Sequence, residues 1–436
     1  MPRILKVIGI VFGVPLVILI IVGIIYSIDE SPPNDADLRL ARLNVPDEEN
    51  AFTCFKEAAE NLVWPNRGSP EWCDFEGFID GSPYDADDTA DPATDATRPE
   101  PWDAERVGNQ LARNEEALRL VGQGLARGKV EAPRSAYFGA DEPYLLPLRN
   151  LRKPKALLAI SLMKAGKPHE AMDEAFSLIR LGRMVEQSRG PVLTYLIGVS
   201  LRQSGYWCII RILGGGQLDD ATLREYHRTL ETLKPETEAL INSAKVDYGL
   251  EAQLLHETKS GEIFRRAGNR KITVPGVLFH RNATQRLFAQ MRRTQIENIS
   301  RKPGEYAVSE IQKLKKEQNG PWGWRMLLDP NLAGRYLAGL LAVSDDMLAK
   351  SFRCAIMPHG QTRLMIALKR YKLKTGSLPK SLAELKPDYI DDVPADPFDG
   401  KPMRYNSDKK VIYSIGDDLK DDGGHSEKDE VYRIRF

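Results

Sequence analysis

The segment Ala156–Ile179 reads ALLAISLMKAGKPHEAMDEAFSLI. Leu157, Leu158, Ile160, Leu162 and Met163 lead into Ala165-Gly166-Lys167-Pro168, after which Ala171, Ala175, Phe176, Leu178 and Ile179 return at helical spacing. That pattern predicts helix, tight turn, helix, with a proline opening the second helix and small alanines where the two approach closely. Downstream, Val192–Leu213 and Leu218–Leu233 form another apolar pair separated by Gly214-Gly215-Gly216. Those glycines follow a helix, so they read as a turn and not as the phosphate cradle that follows a strand. Residues 145–260 are therefore expected to stack as α-hairpins, and the fold class as a whole is mainly α.

The Ala156–Ile179 hairpin resembles a tetratricopeptide unit, although the repeat of about 34 residues is not kept in register. Upstream, Val7–Ile28 is an uncharged, nearly all-apolar run of 22 residues. As a helix it would span about 33 Å, which matches a hydrocarbon core of about 30 Å. A cleavable signal has a shorter apolar region and a small-residue cleavage site, and the sequence shows no convincing one. Arg3 and Lys6 precede the run and Asp29 and Glu30 follow it, so the positive-inside rule predicts a cytoplasmic N-terminus. The expectation is a single-pass bacterial inner-membrane protein with its bulk in the periplasm. Four regions follow: anchor 1–30, acidic extracytoplasmic segment 31–144, helical-hairpin region 145–330, and an α+β module 331–436.

Composition narrows the function classes. The 436 residues carry no net charge, which argues against a general nucleic-acid binder. Cys54, Cys73, Cys208 and Cys354 are too widely spaced for a disulfide scaffold or a cysteine zinc site. Cys54 and Cys73 could pair in an oxidising compartment, whereas Cys208 and Cys354 sit in apolar helical runs and read as buried thiols. Charge is unevenly spread: residues 29–105 hold 21 acidic and 5 basic side chains, and residues 259–325 hold 15 basic and 5 acidic. The two regions are expected to neutralise one another in part; otherwise the basic segment would take an anionic partner. Ser31–Asn34 reads as a short linker, and residues 81–101, poor in large apolar side chains, as a mobile acidic loop.

Catalytic signatures are sparse. Ser161-x-x-Lys164, Ser344-Asp345-Asp346 and Lys374-Thr375-Gly376 imitate the motif order of penicillin-recognising serine enzymes. However, the last motif ends an amphipathic helix rather than lying on a strand. His256, Glu257 and Asp247 lack a second histidine at metal-ligand spacing. Trp322 and Trp324 read as core or loop anchors.

In the last hundred residues, Asn331–Ile356 is predicted helical, broken at Pro358-His359-Gly360, and resumed over Gln361–Lys374 with Gly376 as its cap. Pro379–Leu385 reads as a short helix. Met403–Asn406, Val411–Ile415 and Val431–Phe436 read as strands of a small antiparallel sheet, the last with Tyr432, Ile434 and Phe436 on one side.

Ala367-Leu368-x-x-Tyr371, Gly376-x-x-Pro379, Asp396-Pro397-Phe398-Asp399-Gly400 and Ser414-Ile415-Gly416 occur in that order. Together they resemble the soluble region of the type II secretion major pseudopilin (protein G family). The chain looks most like uncharacterised membrane-anchored bacterial proteins that carry this ending. It departs from true pseudopilins in lacking the prepilin cleavage motif and in placing a large helical region between membrane helix and module, so pseudopilus assembly does not carry over. The resemblance implies calcium in the terminal loop, with Asp417, Asp418, Asp421 and Asp422 as its ligands beside Gly423-Gly424. Calcium takes six to eight oxygens; the spacing is not that of an EF-hand, and an exposed turn is the alternative. The function read from the sequence is a non-catalytic envelope scaffold with protein partners. The alternatives are a carboxylate-dependent hydrolase of wall or polysaccharide material and a component associated with a secretion apparatus.

Overall fold

Lys164, Ala165 and Gly166 end one helix and Pro168 begins the next, as the spacing predicts. Gly166 takes φ +76, and the Lys167 N–H closes on the Leu162 carbonyl at 2.9 Å, a left-handed helix stop. The computed structural model describes residues 28–65, 102–135, 142–257, 279–313, 329–341, 343–425 and 429–436, with Val17, Gly23 and Ile24 as isolated positions. Loop 81–101, Cys73, Trp322, Trp324 and nearly all of Val7–Ile28 lie outside the described residues. So does much of the basic segment 259–325.

The described helices are α1 (Ala51–Glu60), α2 (Ala104–Ala112), α3 (Glu115–Ala126), α4 (Leu145–Asn150), α5 (Arg152–Lys164), α6 (Pro168–Gln187), α7 (Val192–Gly215), α8 (Asp220–Thr232), α9 (Thr237–Glu257), α10 (Arg281–Asn298), α11 (Leu332–Leu341) and α12 (Met347–Thr375). Strands β1 (Arg404–Asn406), β2 (Val411–Ser414) and β3 (Glu430–Arg433) form one antiparallel sheet in the order β1-β2-β3. The registers pair Tyr405 with Ile412 and Ile412 with Tyr432. The molecule is mainly helical with a small C-terminal antiparallel sheet. Among the described residues no helix is long and apolar enough to cross a membrane.

Helices α6 and α7 approach most closely where glycines face each other. A Cβ at Gly198 would lie 2.7 Å from the Gly182 carbonyl oxygen, and one at Gly205 would lie 2.8 Å from that of Ala175. The α6–α7 approach thus depends on a seven-residue glycine spacing in α7. Between these helices Glu186 and Arg202, each 1% exposed, form an ion pair of 2.5 Å, and Arg202 also donates to the Leu233 carbonyl at 2.9 Å. Burial pushes the Glu186 carboxyl up, and the Arg202 charge opposes the rise. One apolar cluster runs from Ala51 in α1 to Ile434 after β3, while a second gathers Leu38, Tyr248, Leu255, Leu287 and Phe288.

Three expectations are corrected. First, α12 runs unbroken through Pro358. Proline lacks the N–H that would bond the Cys354 carbonyl; the Gln203 side chain on α7 donates to that carbonyl instead, at 3.2 Å. Gly360 leaves room for the sheet module, since a Cβ there would meet Met403 Cε at 2.8 Å. His359 bonds the Leu230 carbonyl at 3.0 Å. Second, the short helix near Pro379 is a 3-10 turn at Leu382–Leu385, held by a Ser381–Glu384 capping box. Third, Cys354 is exposed, whereas Cys208 is buried as expected. The sheet is covered on both sides: all four residues of β2 are buried and β3 buries Val431 as well as Tyr432, with α12 against β2 and Gly424 of the terminal loop close over Val411 and Tyr413.

The segment read as a linker is docked, not free. Asp29 accepts from the Asn282 and Ala283 backbone N–H groups at 2.8 and 3.3 Å, so it caps α10 from a distant part of the chain. Glu30 pairs with Arg286 at 3.0 Å, Asp37 pairs with Arg293 at 2.7 Å, and Arg293 also holds the Asn34 carbonyl at 2.6 Å. Asp35, nearly buried, accepts from Tyr248 at 2.7 Å and from Gln285 at 3.0 Å. Here the acidic and basic regions do neutralise each other.

Candidate functional site

The Asp396-Pro397-Phe398-Asp399-Gly400 turn is built around a carboxylate that no solvent reaches. Asp396 accepts from the Phe398 N–H at 3.0 Å, the Ser414 hydroxyl at 2.8 Å and the Ile415 N–H at 3.1 Å. Arg404, from β1, donates to Asp396 at 2.9 Å, to Asp399 at 2.6 Å and to Asp421 at 2.9 Å. Burial raises Asp399 and Asp421, but their hydrogen bonds and the Arg404 charge outweigh it and hold both below the usual carboxylate range. The guanidinium thus stands where three carboxylates converge, and the protein supplies its own cation.

The four aspartates predicted as calcium ligands are dispersed. Asp417 pairs with Lys350 at 3.2 Å, and Asp418 accepts from the Lys420 N–H at 3.0 Å within its own turn. Asp421 is taken by Arg404, by the Tyr413 hydroxyl at 3.1 Å and by the Gly423 N–H at 3.0 Å. Asp422 turns its backbone N–H toward Asp429 at 3.4 Å. Asp429, buried, closes the loop by accepting from Gly424 at 2.8 Å and His425 at 3.0 Å. Among the described residues no group of three His, Cys, Asp or Glu side chains is placed to hold a metal, and Asp417 and Asp421 are engaged by Lys350 and Arg404. Millimolar calcium is therefore expected to leave the melting temperature of the full chain unchanged. Arg404→Met, which strips the cation from three carboxylates, is expected to melt lower and to regain part of the loss with calcium. A calcium-induced rise in the unsubstituted protein, abolished by Asp417→Ala with Asp421→Ala, would instead show that the loop rearranges to bind.

A second site lies where α8, α12 and residues 387–391 meet. They enclose a cleft of about 670 Å³ lined by five Lys or Arg side chains, four carboxylates and His227. The antiparallel course of α8 and α12 brings Asp220 to Arg370 at 2.8 Å and Glu231 to Arg363. Arg370 also donates to the Tyr389 carbonyl at 3.2 Å, tying the 387–391 loop to α12. Burial, reinforced by the charges of Arg363 and Arg370, pushes His227 down to about 4, so the ring is neutral at physiological pH.

The remaining motif residues do not assemble. Ser161 is on α5, Asp345 binds Ser309 at 2.8 Å, and Lys374 lies over the Tyr389 ring. Gly376 caps α12 with φ +82, so Lys374-Thr375-Gly376 is a helix end. Asp247 contributes to a buried network with Arg292 and Glu251, and Glu257 accepts from Gln253 at 2.7 Å. Sequence reasoning passed over Arg404, His227, Arg228 and Arg363. The regular spacing 220, 224, 227, 231 on α8 was the signal available for the cleft, and Arg404 carried none. No protein-family model matches the chain, and comparisons with curated proteins and with solved structures find no match either.

Proposed function

We propose that this is a single-pass bacterial envelope protein, anchored through Val7–Ile28 with a cytoplasmic N-terminus. Its extracytoplasmic body is a scaffold that offers helical surfaces to protein partners and ends in a pseudopilin-like module. The observation that carries the reading is the docking of residues 29–37 on α9 and α10. A flexible tether would let the body roam; here the first residues beyond the apolar run are bonded to a helix, which fixes height and orientation above the bilayer. Val17, Ile24 and Ile28 are 54, 53 and 62% exposed, as side chains facing lipid would be in the isolated chain. The module is supported by the order of its elements: helix, 3-10 turn, Asp396–Gly400 turn, then three antiparallel strands against the helix.

The test is made on the full chain in cells. The protein is expected in the membrane fraction, resistant to alkaline carbonate, with the region beyond residue 28 open to protease only after the outer membrane is permeabilised. The segment 29–40 is expected to be cut faster in Asp29→Ala with Arg286→Ala and Arg293→Ala. Extraction by carbonate would overturn the anchor, and an unchanged cutting rate would overturn the rigid docking.

A further inference from the structure

Helices α9 and α10 enclose two carboxyl groups and one guanidinium. Asp247 and Glu251 stand one turn apart on α9, and Arg292 reaches both from α10. Its Nε donates to Glu251 at 3.2 Å, and its Nη2 lies 2.6 Å from Glu251 and 3.5 Å from Asp247. Its Nη1 donates to the neutral Gln295 amide at 3.0 Å. The Glu251 side chain is 0% exposed, that of Arg292 2% and that of Asp247 14%. The other Asp247 oxygen accepts from the Val192 N–H, where α7 begins, at 3.3 Å.

These three side chains do not balance. With both carboxyls ionised, the group carries one negative charge more than the guanidinium offsets, and carboxylates at i,i+4 repel each other. The charge acting on Asp247 is that of Arg292, and those acting on Glu251 are Arg292 and Asp247. Charged side chains on the other elements packed against α9 are engaged elsewhere. Glu186 on α6 pairs with Arg202 on α7, Asp35 with Arg39 around the 3-10 turn Ala36–Leu38, and Lys350 with Asp346 at the start of α12. An excess charge held away from water is costly, and a carboxyl so placed takes up a proton instead. Burial pushes Glu251 up to about 7, with Arg292 opposing the rise and Asp247 adding to it, and burial raises Asp247 as well. Two carboxyls this close titrate as a pair, and the bonds decide where the proton rests. Both Glu251 oxygens face Arg292 donors, which favours the ionised form. Asp247 meets the guanidinium only at 3.5 Å and keeps an edge open to solvent.

We infer that Asp247, Glu251 and Arg292 form a proton-binding site, in which Asp247 is protonated at neutral pH, Glu251 stays ionised against Arg292, and release of the proton weakens the α9–α10 contact. The site goes beyond the scaffold reading and does not depend on the anchor. The same two helices seat residues 29–37 through Tyr248 and Arg293, each next in sequence to a member of the site. The sign is fixed by the direction of the shift. A carboxyl raised by folding contributes stability that is fully present below the ordinary carboxylate range and is lost as pH rises through the folded value.

The experiment compares the full chain in detergent micelles with Asp247→Asn and Glu251→Gln at pH 5 and pH 8. Asparagine keeps the shape and neutrality of the protonated side chain. Asp247→Asn is therefore expected to match the denaturant midpoint of the unsubstituted chain at pH 5. At pH 8 it is expected to exceed it, by about tenfold in the unfolding equilibrium, equivalent to about 1.4 kcal/mol. Glu186 titrates in both chains, so the difference between them isolates the site. Glu251→Gln is expected to be less stable than either at pH 5, because it takes from Arg292 the carboxylate that holds it by two bonds. Difference infrared spectroscopy at pH 7 is expected to show a protonated-carboxyl band that Asp247→Asn removes. No such difference, or an Asp247→Asn midpoint below the unsubstituted one at both pH values, would show Asp247 ionised and overturn the proposal. A midpoint at pH 8 raised by potassium chloride over choline chloride, and only while Asp247 is present, would make a metal cation the balancing group and overturn it too. Loss of carbonate resistance in the membrane test would leave these results untouched, so the two readings fail separately.

Discussion

Arg202→Met is expected to destabilise the protein by about 3–5 kcal/mol, the cost typical of breaking a buried ion pair from one side. Arg202 and Glu186 are both 1% exposed. Removing the guanidinium leaves a carboxylate at the α6–α7 interface without water or its ion-pair partner, Arg183 acting on it only from a distance, and it leaves the Leu233 carbonyl without its donor. The interface has little room to relax, because Gly182 and Gly198 already bring the two backbones together beside Glu186. The paired substitution Glu186→Leu with Arg202→Met is expected to recover most of the loss, since an apolar pair of similar volume avoids the desolvation of both charges.

The pH dependence has a definite sign. Burial raises the Glu186 carboxyl in the folded state, so its proton is favoured by folding. Stability from that source is fully present below the ordinary carboxylate range and is lost as pH rises through the folded value. Without Arg202 to oppose the rise, the deficit of Arg202→Met is expected to be smaller at pH 5 than at pH 8. Denaturant midpoints at the two pH values, for both single variants and the pair, measure this. Equal deficits at both pH values would show that Glu186 is not the group left exposed to the penalty.

Local pattern made most of the helices legible, because periodicity and turn residues act within a few positions. Gly166-Lys167-Pro168, the triple glycine after Leu213 and Gly376 each end or begin a helix where the sequence indicates. Pro358 misled for a physical reason: the carbonyl that a proline leaves without its helical N–H can take a donor from elsewhere, and the donor here is Gln203, far away in sequence. The docked segment 29–37 was equally hidden. Ser31-Pro32-Pro33-Asn34 has linker composition, and only the fold brings Arg286 and Arg293 to it. Charge counts foretold that acidic and basic regions would meet but not where.

The site residues divide in the same way. The aspartates of the terminal loop stand out as a cluster in sequence, yet their partners come from four different places: Lys350 on α12, Arg404 on β1, Tyr413 on β2 and turn N–H groups. A row of carboxylates states that cations are needed and leaves open whether they are side chains or ions. In the cleft, the residues of α8 have visible helical spacing, but the facing wall comes from residues more than a hundred positions later.

Asp396→Ala is expected to cost about 3–5 kcal/mol and to loosen the C-terminal module selectively. The change orphans the buried N–H groups of Phe398 and Ile415, at about 1–3 kcal/mol each, and removes one of the three carboxylates around Arg404. Asp399→Ala, at a partly exposed position on the same guanidinium, is expected to cost only about 1 kcal/mol. Asp396→Asn keeps an acceptor oxygen for part of this set and should fall between the two. The loss concentrates where Asp396 ties the turn to the sheet: Ser414 ends β2, and Ile415 joins the core packed on α12. Hydrogen exchange should therefore rise in β1–β3 and in the Pro394–Gly400 turn while α6 and α7 stay protected. Uniform acceleration over the whole chain would mean that module and helical body unfold as one unit, which their shared apolar cluster permits. Acceleration confined to the module would show that α12 carries two separable loads, one toward α7 and one toward the sheet, with Asp396 securing only the second.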